Sequence, residues 1–292
     1  MIFDYVILKE IKPELSGYLA QAHNLMTRSP LPDDDAVHDV RVLMKKARAS
    51  LKLIRSYIDE VSYSREYNAC RATGRLLSAW RDTSVHRKTL KSFRKLHSPL
   101  FTSLAEEEAV QKILAKPDHS EDDRDEMLRK AAEISVILKK SLYRLRFLTL
   151  SDLNPEILLG QLEETYLSAG VIYLKCRNGI NPERIHELRK EAKNFLYQLN
   201  FFRPLNPVVI RKLEKNLDSM TQSLGKYNDL SQIIKGLGYK YDEKNTPALN
   251  ELIILIRDRQ DKYLNMVWPQ AYKIFCPGRN LLNVLGYKLV VL

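Results

Sequence analysis

Val37-His38-Asp39-Val40-Arg41, followed by Lys45, recurs about half the chain length later as Ile185-His186-Glu187-Leu188-Arg189, followed by Lys193. Each copy places an apolar residue, a histidine, an acid, an apolar residue and an arginine side by side, with a lysine four positions after the arginine. A second pair of motifs, Trp80-Arg81-Asp82 and Tyr227-Asn228-Asp229, places its aspartate 44 and 43 positions after the histidine. Two unrelated anchors at nearly the same spacing indicate an internal duplication, so we expect two similar halves.

The composition is typical of a helical globular protein. The 292 residues include only 10 glycines and 12 prolines, and 28% of them are charged. Such a chain is neither disordered nor all-β, and its length permits one large domain or two. We predict an all-α fold with four helices in each half, at about 10–150 and 151–276, within a single domain over residues 1–292. The tail at 277–292 is expected to be a short strand or an irregular segment.

The charge balance indicates the class of partner. A net charge of +11 and a pI near 9.4 imply a polyanionic partner or an anionic surface. The cysteines Cys70, Cys176 and Cys276 are far apart and in no CxxC spacing, so they are expected to be thiols in a reducing compartment. The first residues lack the basic region of a signal peptide, and no apolar run approaches the roughly 20 residues of a membrane span. We therefore expect a cytoplasmic protein with no membrane partner.

Helix starts are clearest in the second half. Asparagine or threonine followed by proline opens four helices there, because the polar side chain caps a helix whose first position suits proline. These starts predict helices at 155–177, 182–203, 207–224 and 247–275, with a further turn at 228–237. Acids at 33–35 and 121–123 favour helix starts in the first half, where the helix dipole attracts negative charge. We predict first-half helices near 10–27, 35–60, 65–96 and 122–149, with loops at 97–120 and 237–246.

On the helices that carry the repeated motif, the cations form a stripe beside the apolar face at about 100° per residue. The first stripe comprises His38, Arg41, Lys45, Arg48 and Lys52, and the second comprises His186, Arg189 and Lys193. A solvated basic helix face is the ordinary interpretation of such a pattern. However, each like-charge pair at i+3 or i+4 costs roughly 0.2–0.5 kcal/mol, and the first stripe includes no acid. Because the pattern also recurs after the duplication, we favour a binding surface.

Two rows of cations beside a core suit a linear polyanion, because arginine binds phosphate oxygens in pairs and lysine binds them as a point charge. Nucleic acid is the main alternative, since its backbone presents similar oxygens. Proteins that bind single strands interleave aromatic residues with their cations for base stacking, and the first stripe has none, although Tyr143 and Tyr197 lie near basic clusters. A scaffold whose basic surface docks an acidic protein is the third interpretation.

No catalytic pattern is found in the sequence. It has no Ser-His-Asp order, no P-loop and no glycine-rich phosphate cradle. Phosphoryl transfer would need a nucleophile and metal-binding carboxylates near the stripes. Neither His38 nor His186 has a His, Cys or Glu four residues later, so a metal site is not expected. We expect binding without catalysis and without a metal or cofactor.

The repeated motifs resemble those of the CHAD family, the conserved-histidine α-helical domain. The family's His-x-x-Arg-x-x-x-Lys/Arg signature is similar to residues 38–45 and 186–193. Its later Leu-x-x-x-Arg-Asp element is similar to residues 77–82, with a second-half counterpart at 224–230. The resemblance covers roughly residues 10–275. It implies two four-helix bundles related by a pseudo-twofold axis, with a basic surface between them that binds inorganic polyphosphate.

The two halves do not match the pattern equally. The second stripe loses charge at Asn194, Leu196 and Asn200, so the first stripe is expected to dominate binding. A basic cluster on the fourth helix either extends the anion path or is a solvated face, and Arg81 either contacts the ligand or pairs with an aspartate beside it. The additional candidate contacts are Arg81, Lys139, Lys140, Arg144 and Lys226.

Overall fold

The computed structural model of the protein describes residues 8–28, 32–115, 121–150, 153–239 and 245–287, with the side chains of 79–84 and 121–123 left out. All regular elements in this part of the chain are helices, as predicted. Up to residue 150 they are α1 (Ile11–Thr27), α2 (Asp34–Leu53), α3 (Glu60–Leu76), α4 (Ser78–Leu96), α5 (Ser98–Ser103), α6 (Glu108–Leu114) and α7 (Glu121–Phe147). Beyond it they are α8 (Pro155–Asn178), α9 (Pro182–Phe202), α10 (Pro207–Gly236), α11 (Pro247–Phe275) and α12 (Leu281–Val284).

The four predicted caps in the second half are confirmed. The side chains of Asn154, Asn181, Asn206 and Thr246 each accept a hydrogen bond from a backbone N–H in the first turn of α8, α9, α10 and α11. In each helix a proline follows the cap, where its missing N–H costs nothing. The capping residue and the proline therefore fix where these helices begin.

Three apolar cores hold the helices together. The first lies among α1, α2, α3 and α7. The second lies among α8, α9, α10, α11 and α12, and it also takes in Ile11 of α1 and the end of α2 at Leu53 and Ile54. The third joins residues 90–110, from α4 to α6, to the C-terminal part of α10 and the N-terminal part of α11. Because this third core combines segments from both sides of residue 150, the two parts of the chain are bound together along α4 as well as where α2 packs against α9.

Several predicted boundaries differ from the structure. The single helix expected at 65–96 is two helices, because the chain bends at the buried Leu77 and α4 then turns to pack against α10. The helix expected at 207–224 and the turn after it form one continuous α10. The helix expected at 35–60 ends at Leu53, and a 3-10 turn, Arg55–Tyr57, follows it.

The segments expected to lack helices also differ in part. The loop predicted at 97–120 contains the short helices α5 and α6, whose apolar residues Leu100 and Val110 are buried in the third core. The tail contains α12, which Asn280 caps through the backbone N–H of Asn283. The strand considered for the tail depends on the β-branched residues Val284, Val290 and Val291. Val284 lies in α12 and not in a strand, and Val290 and Val291 lie outside the described residues.

Candidate functional site

The first stripe lies where α2 packs against α9. Asp33 caps the start of α2 by accepting a hydrogen bond from the Ala36 N–H at 2.7 Å. The apolar face of α2 is buried in the first core, and Ala49, next to Arg48 in sequence, is fully buried as well. The Ala49 carbonyl accepts a hydrogen bond from Gln198 Nε2 of α9 at 3.2 Å. The stripe is therefore an interface between helices and not a fully solvated face.

The second stripe meets the first at Lys45. Burial is the main reason that the pKa of Lys45 falls from its ordinary value of 10.5 to about 7. The remaining causes are neighbouring positive charges, which come from α9 (Arg189, Lys193) and from α2 (Arg41, Arg48). We call these five residues the cation cluster: Arg41, Lys45, Arg48, Arg189 and Lys193. The fold thus brings together five of the eight residues predicted as the main site.

Two arginines of the cluster have buried hydrogen-bond donors without partners. In the described part of the chain, Arg48 Nε and Arg189 Nε are buried and form no hydrogen bond. An unpaired buried donor costs about 1–3 kcal/mol, and more when it is charged. The Arg48 guanidinium lies 5.8 Å from the centre of the Tyr67 ring, and Arg189 lies against the helical Gly225 of α10. These donors are therefore held in place by packing.

The arginines of the two repeated motifs reach matching places. Arg41 Nη1 donates to the carbonyl of Leu77 at 3.1 Å, in the first-half copy of the later motif. Arg189 contacts Gly225, one residue beyond Leu224, which matches Leu77 in the second-half copy. Each motif arginine thus packs against the later motif of its own half.

His186 extends the cluster at its edge. The His186 ring forms a hydrogen bond with the Asn228 side chain, which joins the two motifs of the second half. Burial lowers the pKa of His186, and the positive charges of Arg189, Lys190 and Lys45 lower it further, whereas the bond to Asn228 raises it. His38 is exposed near the start of α2. At neutral pH, His186 is therefore a neutral hydrogen-bonding group beside the cations.

Carboxylates bind the outer lysines of both stripes. Lys193 Nζ lies 2.9 Å from Asp218 Oδ1, and Lys52 Nζ lies 3.6 Å from Glu191 Oε2. Within the described residues, Lys45, Arg48 and Arg189 form no ion pair with a carboxylate. The uncompensated positive charge is thus concentrated at the contact between α2 and α9.

The additional candidate residues either lie away from the contact between α2 and α9 or interact with other residues of the protein. Arg144 forms an ion pair with the buried Glu66, with Nη2 to Oε2 at 3.1 Å, which joins α7 to α3. Lys139 and Lys140 are exposed on α7, which packs against α1 and α3. Lys226 lies over the ring of Tyr263 at 5.6 Å. The Arg81 side chain, and the pairing expected for it, lie outside the described side chains.

Of the residues that surround the cluster, the sequence indicated Tyr197, which follows Lys193 by one helical turn, but not Tyr67 or Asp218. Tyr67 and Tyr197 face Arg48 and Lys193 from α3 and α9, and Asp218 contacts Lys193 from α10. Tyr67 and Asp218 lie on other helices than the cations they contact, so the pattern of one helix does not reveal them. A further signal present in the sequence was Gly225, an unusual residue inside a helix and within the later motif.

The described residues contain no group of three His, Cys, Asp or Glu side chains that could hold a metal ion. In the same part of the chain, none of the helices has the length and apolar character required to cross a membrane.

Comparison with known proteins assigns a family. Neither a curated protein nor a solved structure matches this chain. The CHAD domain family, in contrast, matches residues 18–234, about three quarters of the chain. The matched region includes α2 and α9, and therefore the whole cation cluster. This chain belongs to the CHAD domain family.

Proposed function

We propose that the protein binds inorganic polyphosphate at the cation cluster and does not act on it chemically. The CHAD domain is associated with polyphosphate binding, which supports this class of ligand. The observation that carries the proposal is the position of Lys45, which is half-buried among four other cations from two helices. Burying a charge beside like charges opposes folding. A polyanion offsets that cost when it binds.

The chemistry of the cluster fits a chain of phosphates. Arg48 and Arg189 supply planar guanidinium groups, whose shape suits bidentate contacts with phosphate oxygens. Lys45 and Lys193 add point charges, and His186 adds a neutral group at the edge. Because the cations come from both α2 and α9, a ligand with several linked phosphates engages more of them than a single phosphate does.

Nucleic acid is the second candidate. The rings of Tyr197, which the sequence already placed near a basic cluster, and of Tyr67, which it did not, are near the cation cluster. Both rings are partly buried, and each faces a cation of the protein itself. Base stacking would require those faces. This arrangement favours a ligand of phosphates alone, and an acidic protein docking on the same cations is the third candidate.

The proposal of binding without catalysis rests on the state of the nearby carboxylates. Asp218 and Glu191 are each engaged by a lysine. Phosphoryl transfer requires carboxylates that bind metal ions next to the phosphate and a group that orients a nucleophile. We expect no release of phosphate from polyphosphate or ATP, with or without added Mg²⁺ or Mn²⁺.

We also propose that the four helices around the first core and the four around the second are copies related by a pseudo-twofold axis. In this pairing α1 corresponds to α8, α2 to α9, α3 to α10 and α7 to α11. The supporting observations are the recurrence of the motif on α2 and α9, their mutual contact and the matching places of Arg41 and Arg189. An experimental structure, superposed on itself by these pairs, tests the axis.

We further propose a cytoplasmic location. Cys70, Cys176 and Cys276 are free thiols, and the first two are buried. This fits a reducing compartment. Microscopy of the fluorescently tagged protein tests the location.

A competition assay tests the function. Labelled long-chain polyphosphate is bound to the protein and then displaced by unlabelled polyphosphate, single-stranded RNA or heparin at equal phosphate or sulfate concentration. Preferential displacement by polyphosphate supports the proposal, and preferential displacement by RNA favours the second candidate. In parallel, replacement of Arg41, Lys45 and Arg48 together by Ala is expected to abolish binding while helical circular dichroism remains. A triple variant that folds and binds like the wild type would refute the site.

A further inference from the structure

Asp218 is an acid in direct contact with the cation cluster. Its Oδ1 lies 2.9 Å from Lys193 Nζ, and its Oδ2 accepts a hydrogen bond from Gln222 Nε2 at 2.7 Å. Gln222 lies one turn later on α10, so it aims the carboxylate at Lys193. In the free protein, Asp218 therefore pairs with Lys193, a cation that the proposed ligand would need.

The two partners differ in their freedom to move. The side chain of Lys193 is only 18% exposed, whereas that of Asp218 is 47% exposed. Lys193 is further held over the Tyr197 ring, at 5.6 Å from its centre. When the pair separates, the lysine stays in the site and the carboxylate turns towards solvent.

A groove provides the space for that movement. Asp218 and Tyr197 line a groove of about 470 Å³ between α1 and α2 on one side and α9 and α10 on the other. Lys215 lines the same groove, three residues before Asp218 on α10. Side chains three apart on a helix are neighbours, so Lys215 is an alternative partner for the released carboxylate.

The charge of the groove differs from that of the cluster. Its acids, Glu14, Glu214 and Asp218, match its cations in number, and Arg203 is already bound to Glu214 at 2.8 Å. A polyanion that extends from the cation cluster into this groove meets carboxylates. Asp218 thus lies at the boundary between the uncompensated cations and a neutral surface.

We propose that Asp218 is an intramolecular competitor, which occupies Lys193 in the free protein and is displaced by the phosphates of the ligand. The inference rests on the proposed function and specifies which residue limits its affinity. A tethered carboxylate acts at a high effective concentration, so a small anion such as orthophosphate gains little at Lys193. A chain of phosphates holds the other cations and still displaces Asp218. The competitor therefore keeps the site free of small anions and available to chains.

The test compares Asp218→Asn with a matched loss of charge elsewhere. Glu126→Gln removes one acid from the exposed Lys130–Glu126 pair on α7. By relieving the competition, Asp218→Asn should raise the affinity for long-chain polyphosphate about 10-fold, against about 2-fold or less for Glu126→Gln, whose remote charge is screened. Glu191→Gln should give an intermediate gain, because Glu191 lies farther from its lysine.

The second arm repeats the substitution without the lysine. In a Lys193→Ala background, Asp218→Asn should gain no more than Glu126→Gln does, because the competition needs Lys193. An equal gain from Asp218→Asn with and without Lys193 would overturn the inference and leave general repulsion as the cause. If Asp218→Asn in the wild-type background gains no more affinity than Glu126→Gln does, the inference is overturned too. Wild-type protein that binds no polyphosphate would instead refute the proposed function.

Discussion

Gly225 leaves the space that the Arg189 guanidinium fills. A Cβ at Gly225 would lie 3.1 Å from Arg189 Nε and 3.3 Å from Nη2, which is tighter than ordinary contact. Gly225 lies inside α10, where glycine is about 1 kcal/mol less favourable than alanine. Stability alone would favour a different residue here, so the position of Arg189 accounts for the glycine.

Gly225→Ala is predicted to weaken polyphosphate binding without unfolding the protein. The gain in helix propensity offsets the crowding, so the free energy of unfolding should change by about 1 kcal/mol or less. The displaced Arg189 should cost about 10-fold in affinity, since a charge-assisted hydrogen bond contributes about 1.5–3 kcal/mol.

Gly74→Ala provides the control for this substitution. Gly74 lies inside α3 with nothing within 4 Å of a Cβ, so the substitution should stabilise the protein and leave binding unchanged. Denaturant titrations and binding isotherms of both variants measure the two effects. Unchanged affinity in a folded Gly225→Ala protein would contradict the role given to Arg189.

Lys45→Met is predicted to stabilise the free protein and to weaken binding. The substitution removes a half-buried charge from among four like charges and keeps a chain of similar length. We expect a gain of about 1 kcal/mol in the free energy of unfolding, or about 2 °C in Tm for a chain of this size. Affinity for long-chain polyphosphate should fall about 10-fold. If Lys45→Met loses stability instead, the cluster does not carry the electrostatic cost described above.

Stability and binding should depend on pH in opposite directions. Between pH 7 and 10.5 the unfolded chain keeps a proton on Lys45 that the folded chain has lost. The stability of the free protein should therefore rise with pH across this window because of Lys45, and the contribution is constant outside it. Lys45→Met should remove this dependence in urea titrations at a series of pH values.

A bound polyanion favours the charged form of Lys45 and raises its pKa. Binding at pH 8 should therefore take up a proton, and affinity should decrease as the pH rises above 7. Calorimetric titrations in two buffers of different ionisation enthalpy measure the uptake. Equal heats in both buffers at pH 8 would contradict the pKa of about 7 assigned to Lys45.

Arg144 is predicted to support the fold and not the ligand site. Glu66 is buried, and Arg144 binds both of its carboxylate oxygens. Arg144→Met should cost about 2 kcal/mol of stability, because the buried Glu66 loses the hydrogen bonds from Arg144 and keeps only the one from Arg65 Nε, at 3.2 Å. The folded variant should bind polyphosphate like the wild type. A loss of affinity in the folded protein would extend the site along α7.

Much of the fold followed from local signals. The caps before Pro155, Pro182, Pro207 and Pro247 fixed four helix starts, because capping depends on residues that are adjacent in sequence. The bend at Leu77 was not predicted, because the packing of α4 against α10 decides it.

The candidate site was predicted on the same terms. Helical periodicity placed Lys45 in a stripe with Arg41 and Arg48, because all three residues lie on one helix. Periodicity did not predict the proximity of Lys45 to Arg189, which depends on how α2 crosses α9, and only the family resemblance implied a basic surface between the two halves. Asp218 was missed for the same reason: its lysine belongs to another helix. The sequence of a basic stripe does not reveal the acids on a neighbouring helix that neutralise it.

Binding at the cation cluster is tested most directly by the affinity of an Arg48→Gln/Arg189→Gln variant for long-chain polyphosphate. Both substitutions remove a guanidinium whose Nε is buried and forms no hydrogen bond, at the contact between α2 and α9. Lys139→Gln/Lys140→Gln removes the same charge from the exposed surface of α7 and serves as the control. We expect the arginine variant to bind about 100-fold more weakly than the wild type, and the lysine variant to lose about 2-fold or less in affinity. Equal losses in the two folded variants would contradict a site at the cation cluster.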